Sequence, residues 1–98
     1  MHPNSLAAYR EIRDRLSERK RSVAYAILTA DAPLTDREIA HKLGCRDMNE
    51  VRPRITELVQ DPDVPIGEVG SVRDSTTGRT VRLVGFVEQA VRQETLFT

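Results

Sequence analysis

Residues 35–58 read Thr-Asp-Arg-Glu-Ile-Ala-His-Lys-Leu-Gly-Cys-Arg-Asp-Met-Asn-Glu-Val-Arg-Pro-Arg-Ile-Thr-Glu-Leu, and this stretch predicts two short helices joined by a turn. Thr35 and Glu38 have the spacing of a capping box, in which each side chain accepts a hydrogen bond from the other residue's backbone N–H. A helix should therefore begin at Asp36. It should end at Gly44, because glycine tolerates the positive φ that a helix terminus often needs.

The second helix of this stretch is predicted over residues 48–59. Asp47 can cap its N-terminus, with Glu50 three residues later. Pro53 removes one backbone hydrogen bond and should bend the helix without breaking it. Apolar residues recur at i, i+4 and i+7 and should form the buried stripe of this helix: Val51, Ile55 and Leu58.

The face of the second helix opposite this stripe is polar. Advancing by about 100° per residue places on it the following residues: Asn49, Arg52, Pro53, Thr56 and Gln60. Asn, Arg, Thr and Gln carry the donors and acceptors that suit base edges and phosphates in a DNA major groove. Arg46 and Arg54 lie at the flanks of this face. Alternatively, the face is only the solvated side of a core helix.

A β-hairpin is predicted after this helix. Residues 66–72 and 80–86 are rich in residues that favour strands. The polar segment 73–79 between them contains turn-forming residues, so it should be the tip of the hairpin.

With helix, turn, helix and hairpin in this order, the chain resembles the winged helix-turn-helix family, in particular small bacteriophage or prophage proteins. The resemblance covers residues 18–86. It implies a mainly α fold with a small β-hairpin (α+β): a trihelical core, the hairpin as a wing, and an extra N-terminal helix. It also implies sequence-specific binding of double-stranded DNA by a phage or prophage transcriptional regulator. The residues that carry it are Ile39-Ala40, Leu43-Gly44, the buried stripe, Thr-Asp-Arg-Glu-Ile-Ala at 35–40, Val-Arg-Pro-Arg-Ile-Thr-Glu-Leu at 51–58 and Thr-Gly-Arg-Thr-Val-Arg-Leu at 77–83.

In this family the loop of the wing commonly touches the DNA backbone or the minor groove. The resemblance favours Arg79 for such a contact and Arg73 after it, because both flank the predicted tip. An alternative is that these arginines only keep an exposed strand edge soluble. Winged helices also serve as protein-binding modules, so fold analogy does not by itself choose the role.

The N-terminal third predicts further helices. Ser5 can cap a helix over residues 6–16, and Ser17 can start another over residues 18–30 as the first helix of the trihelical unit. Leu34 can pair with the wing as a short strand. The helix over residues 6–16 either packs on the domain or mediates a homodimer. The predicted divisions are an N-terminal helical extension at 1–17, a winged helix-turn-helix domain at 18–87 and a C-terminal tail at 88–98.

Composition predicts one globular domain, since the 98 residues are 39% apolar and 31% charged. The 15 basic and 15 acidic residues cancel, which is weak support for nucleic-acid binding, where a basic domain is typical. A dimer that presents two polar helix faces and two wings can still assemble enough phosphate contacts to bind DNA.

Other classes of function find little support in the sequence. No apolar run approaches the ~20 residues that span a bilayer, and the first residues lack the pattern of a signal peptide. We therefore expect no membrane partner and a cytoplasmic location in a bacterial host cell. Cys45 is the single cysteine and has no metal-ligand spacing with His2 or His41. No catalytic set or phosphate-binding glycine loop is present, so neither an enzyme nor a cofactor is expected.

The C-terminal tail supports an alternative function. Gln93, Leu96 and Phe97 resemble the short motif with which bacterial replication and repair proteins bind the DNA polymerase sliding clamp. Such a tail would become ordered on its partner, with the two apolar side chains as anchors. The chain would then be a replication-associated adaptor. Alternatively, the tail folds back onto the domain as a helical end.

Overall fold

The computed structural model describes residues 3–87, with side chains from residue 6 onward. Over this range the chain forms an α+β arrangement in which helices are followed by a two-stranded antiparallel hairpin. The elements are α1 (Pro3–Ile12), a 3-10 turn (Arg13–Arg15), α2 (Glu18–Leu28), α3 (Asp36–Lys42), α4 (Met48–Gln60), β1 (Ile66–Arg73) and β2 (Thr80–Phe86). None of the described helices is both long and apolar enough to cross a membrane.

The predicted capping box at the start of α3 is confirmed. The Thr35 hydroxyl accepts a hydrogen bond from the Glu38 N–H at 3.2 Å, and the Glu38 carboxylate accepts one from the Thr35 N–H at 2.9 Å. These two bonds satisfy backbone donors that have no partner inside the helix. At the other end, Gly44 follows the helix with a φ of 67°, the left-handed conformation expected at this position.

Replacing Thr35 with alanine removes half of this capping box. We expect Thr35→Ala to lower the free energy of unfolding by about 1 kcal/mol, because the Glu38 N–H loses its acceptor. Thr76→Ala at the exposed hairpin tip is the matched control and should change stability by less than about 0.5 kcal/mol. Urea unfolding of the variants measures both values. Equal stability of the two variants would contradict the assigned cap.

The predicted position and buried stripe of α4 are confirmed, with one local difference near its N-terminus. The helix passes through Pro53 without a break. Asp47 caps it, accepting a hydrogen bond from the Asn49 N–H at 2.9 Å. Glu50 instead has its carboxylate 3.5 Å from the Cys45 sulfur. The predicted stripe is buried, with exposures of 3% or less at Val51, Ile55 and Leu58.

The prediction that Ser5 caps the first helix is wrong, because α1 begins at Pro3. Proline suits the first turn of a helix, since its φ is already helical and its missing N–H would have no partner there. The prediction for Ser17 is confirmed: its hydroxyl accepts a hydrogen bond from the Lys20 N–H at 3.3 Å and starts α2.

The N-terminal helix packs within the chain. Ile12 and Leu16 are buried in the same hydrophobic core as α2, α3 and α4. On the outer side, the rings of Tyr9 and Tyr25 meet edge to face, with 5.2 Å between their centroids. Intramolecular packing, which was one of the two alternatives for this helix, is therefore what the structure shows.

The hairpin is attached to the helices along β2. Leu34 exchanges two backbone hydrogen bonds with Val84, at 2.8 and 2.9 Å, as the short strand pairing predicts. Val84 is fully buried, and Arg82 on the same face reaches the helices. An irregularity between Glu68 and Gly70 interrupts the register of β1. Pairing and burial along β2 thus hold the hairpin beside the start of α3 and the exposed side of α4.

Candidate nucleic-acid interface

The polar face of α4 is open to solvent. Asn49, Arg52, Pro53 and Gln60 are exposed, and Thr56 is half-buried between them and the hairpin. All of these except Gln60, which lies at the end of the helix, line one shallow surface depression. The structure therefore brings together most of the residues that helical spacing assigned to this face.

A cleft of about 550 Å³ separates this face from the hairpin and the start of α3. Its charged lining consists of three arginines and three carboxylates: Arg37, Arg52, Arg82, Asp36, Glu68 and Asp74. Because the opposite charges are equal in number, the cleft itself is not a strongly basic phosphate site.

An arginine on β2 joins the hairpin to both helices of the cleft. The Arg82 guanidinium donates to the two Asp36 carboxylate oxygens, at 3.0 Å from Nε and 3.1 Å from Nη2. The same Nη2 donates to the Thr56 hydroxyl at 3.0 Å. The contact between Arg82 and Asp36 joins two charged groups in a bidentate geometry, and such hydrogen bonds are among the stronger ones in proteins. Arg82 falls within the strand predicted over residues 80–86, but these contacts were not predicted, since Arg82 lies 46 residues from Asp36.

Arg52 approaches the same carboxylate from α4. Its Nε lies 3.6 Å from Asp36 Oδ2, which is an ion-pair distance but too long for a hydrogen bond. The Arg52 side chain is 58% exposed, whereas that of Asp36 is 13% exposed. Arg52 is therefore attracted toward the cleft but remains accessible to a ligand.

Arg54 belongs to a different surface. Its Nη1 lies 3.2 Å from the Glu57 carboxylate, which also lies 3.0 Å from the Lys20 ammonium on α2. The hydrogen bond from Lys20, assisted by the charges of Lys20 and Arg54, holds the pKa of Glu57 below its ordinary value. Arg54 lies about 200° around α4 from Arg52. The structure thus directs Arg54 toward α2 and not toward the open face.

Internal hydrogen bonds order the hairpin tip. The Gly78 N–H donates to the Asp74 carbonyl at 2.7 Å, with Gly78 at a φ of 72°. The Thr76 N–H donates to the Asp74 carboxylate at 2.8 Å. This bond, together with the Arg37 guanidinium 3.7 Å away, lowers the pKa of Asp74.

The predicted wing arginines differ in their surroundings. Arg73 donates from Nε to the Gly78 carbonyl at 3.1 Å and so supports the tip. Arg79 is exposed, and its side chain forms no hydrogen bond within the described part of the chain. Arg46 is exposed in the turn between α3 and α4. The residues of the tail motif, Gln93, Leu96 and Phe97, lie outside the described residues.

Comparisons with models of known protein families, with curated proteins and with solved structures gave no match. The class that the described residues define is a small α+β domain with a helical core and an antiparallel hairpin beside it.

Proposed function

We propose that this protein is a sequence-specific, double-stranded DNA-binding protein of the winged helix-turn-helix kind. In this proposal α4 is the recognition helix and the β1–β2 hairpin is the wing. The observation that carries the proposal is the open face of α4, where Asn49, Arg52 and Thr56 lie beside an attached hairpin. The carboxylate of Asp36, which lies beside Arg52, and that of Glu57, which lines the depression, already pair with arginine or lysine of the same chain.

The dimensions of this face suit a DNA groove. From Asn49 to Gln60 the helix rises by roughly 16 Å. A major groove about 12 Å wide admits one helix, and amide, guanidinium and hydroxyl groups match the donors and acceptors of base edges. The side chains of the open face would then contact several successive base pairs.

Phosphate contacts would come from the exposed arginines around this face. Arg46 lies just before the recognition helix, and Arg79 lies at the wing tip. With a formal net charge of zero, the chain has little general attraction for DNA, so these local charges matter more than the total. A homodimer would double the number of contacts, as expected for a phage or prophage transcriptional regulator acting in the cytoplasm of its bacterial host.

Binding of the purified protein to random-sequence duplex DNA, at two salt concentrations, tests the proposal. We expect binding that weakens steeply with salt, because phosphate contacts release counterions. Selection of bound sequences should enrich one motif, and a palindromic motif would indicate a dimer. Absence of binding even at low salt would show that the open face of α4 does not bind DNA.

The tail carries a second candidate function, binding of a bacterial polymerase sliding clamp by Gln93, Leu96 and Phe97. Deleting residues 93–98 should leave DNA binding unchanged and abolish capture by a purified clamp, because the anchor side chains are lost. Replacing only these three residues with alanine should have the same effect. The control is Thr95→Ala with Thr98→Ala, which should retain capture. Clamp binding that survives the deletion would eliminate the motif.

A further inference from the structure

The hydrogen bond from Arg82 determines what the Thr56 hydroxyl can offer to a ligand. A hydroxyl has one proton to donate and two lone pairs through which its oxygen accepts. Here the oxygen already accepts from Arg82 Nη2 at 3.0 Å, and the guanidinium is itself held by three hydrogen bonds to Asp36. The proton of Thr56 is thus available for donation, whereas a DNA donor would have to approach the second lone pair beside the positive charge of the guanidinium, which opposes acceptance.

Asp36 also affects the orientation of the Arg52 side chain, through an ion pair. The carboxylate lies on the Nε side of the Arg52 guanidinium, at 3.6 Å, while the side chain remains 58% exposed. Within residues 3–87 the Arg52 side chain makes no hydrogen bond, so its N–H donors are available to a ligand. Attraction to Asp36 restricts the orientations of a long side chain and thereby lowers the entropy lost when it binds.

We propose, resting on the DNA-binding function above, that Asp36 and Arg82 are positioning residues that make Arg52 and Thr56 a pair of donors with defined base preferences. Arg52 reads guanine, whose O6 and N7 are both acceptors in the major groove and match the guanidinium fork. Adenine presents one acceptor, N7, and one donor, its N6 amino group, so it matches the two donors of a guanidinium less well. Thr56 disfavours cytosine on the contacted strand, because cytosine presents only its amino donor there and the Arg82 charge beside the hydroxyl oxygen opposes a second donor.

The spacing of the two residues predicts where the two preferences occur. Arg52 and Thr56 are one helical turn apart, which corresponds to a rise of about 6 Å. Successive bases along one strand are about 3.4 Å apart. The preferred site therefore contains a guanine and, one or two base steps away, a position at which cytosine is disfavoured.

Selection from random duplex DNA, followed by affinity measurements on single-base variants of the selected site, tests this inference. Arg52→Gln should reduce the preference for guanine by roughly 5- to 150-fold, the range for one bidentate base contact. Thr56→Val keeps a branched side chain but removes the hydroxyl, so the other bases lose the donated bond and the discrimination against cytosine at the second position should fall. Thr56→Ser is the matched control, because it retains the hydroxyl and should retain the preference.

Variants of the positioning residues separate their proposed role from a merely structural one. Asp36→Asn should weaken the guanine preference, and Arg82→Met should admit cytosine at the second position, although neither residue contacts DNA in this proposal. Circular dichroism and thermal unfolding verify that each variant is folded. If either variant unfolds, the Thr56→Val and Thr56→Ser pair still decides whether donation by this hydroxyl sets the second preference.

The experiments distinguish failure of the donor-pair inference from failure of the proposed DNA-binding function. If the variants bind DNA with the same base preferences as the original protein, the donor-pair inference is wrong and the DNA-binding function stands. If Thr56→Val alters the second position but a folded Arg82→Met does not, the positioning role of Arg82 is wrong. If the original protein binds no duplex, or enriches no motif, the proposed function itself is overturned.

Discussion

Replacing Arg52 and Arg79 together with alanine is expected to abolish detectable binding to duplex DNA at physiological salt while leaving the domain folded. Arg52 would lose a base contact worth about 1–3 kcal/mol. Arg79 would lose a phosphate contact, which should lower the slope of log affinity against log salt by about 0.9. Both side chains are exposed, so their loss should have little effect on packing.

Fluorescence anisotropy with a labelled duplex, measured over a range of salt concentrations, gives both the affinity and the slope. The matched control is Arg10→Ala with Arg13→Ala, which removes the same charge from exposed positions in the N-terminal region. We expect this control to bind within a few-fold of the original protein. Equal affinity of the Arg52 and Arg79 double variant would remove the proposed interface, whereas equal losses in both double variants would indicate a general charge effect.

Truncating Ile55 to alanine is expected to cause a large loss of stability. The side chain is fully buried on α4, in a core shared with Ile39 of α3 and Ile66 of β1. Its removal leaves a cavity in addition to the lost transfer free energy, for a total of about 2–5 kcal/mol. Domains of this kind are stable by only about 5–15 kcal/mol, so a substantial part of the stability would be lost.

Urea unfolding followed by circular dichroism measures this change. Val72→Ala is the control, since Val72 lies on the hairpin with 41% of its surface exposed. The control should change stability by no more than about 0.5 kcal/mol. A loss below about 1 kcal/mol for Ile55→Ala would show that the core around α4 collapses to fill the cavity, contrary to close packing.

The elements that could be predicted are those whose signals lie within a few residues. The capping box of Thr35 and Glu38, the glycine after α3 and the buried stripe of α4 all depend on neighbours three to seven positions apart. The start of α1 could not be located in the same way. Ser5 and Pro3 are both suitable near a helix N-terminus, and local preference alone does not choose between them.

For the candidate site, helical spacing correctly placed Asn49, Arg52 and Thr56 on one surface, because side-chain directions along a helix repeat regularly. It did not predict the partners of those side chains. Arg54 is also on α4, yet it interacts with Glu57, whose carboxylate also pairs with Lys20 of α2. The Arg54–Glu57 pair lies within one helix, whereas the contact of Lys20 with Glu57 and the approach of Arg52 to Asp36 depend on how α4 packs against α2 and α3.

The sequence by itself determined the order of helices and strands, the caps of α2, α3 and α4 and the polar face of α4, because hydrogen bonds near helix ends and side-chain periodicity act over short distances. Only the tertiary structure decided that Arg82 of the hairpin would bind Asp36 and Thr56, as this requires β2 to lie beside α3 and α4. Burial of Val84 and its pairing with Leu34 hold the strand in that position. A contact between residues 46 positions apart follows from the packing of the whole core, which local sequence preferences do not specify.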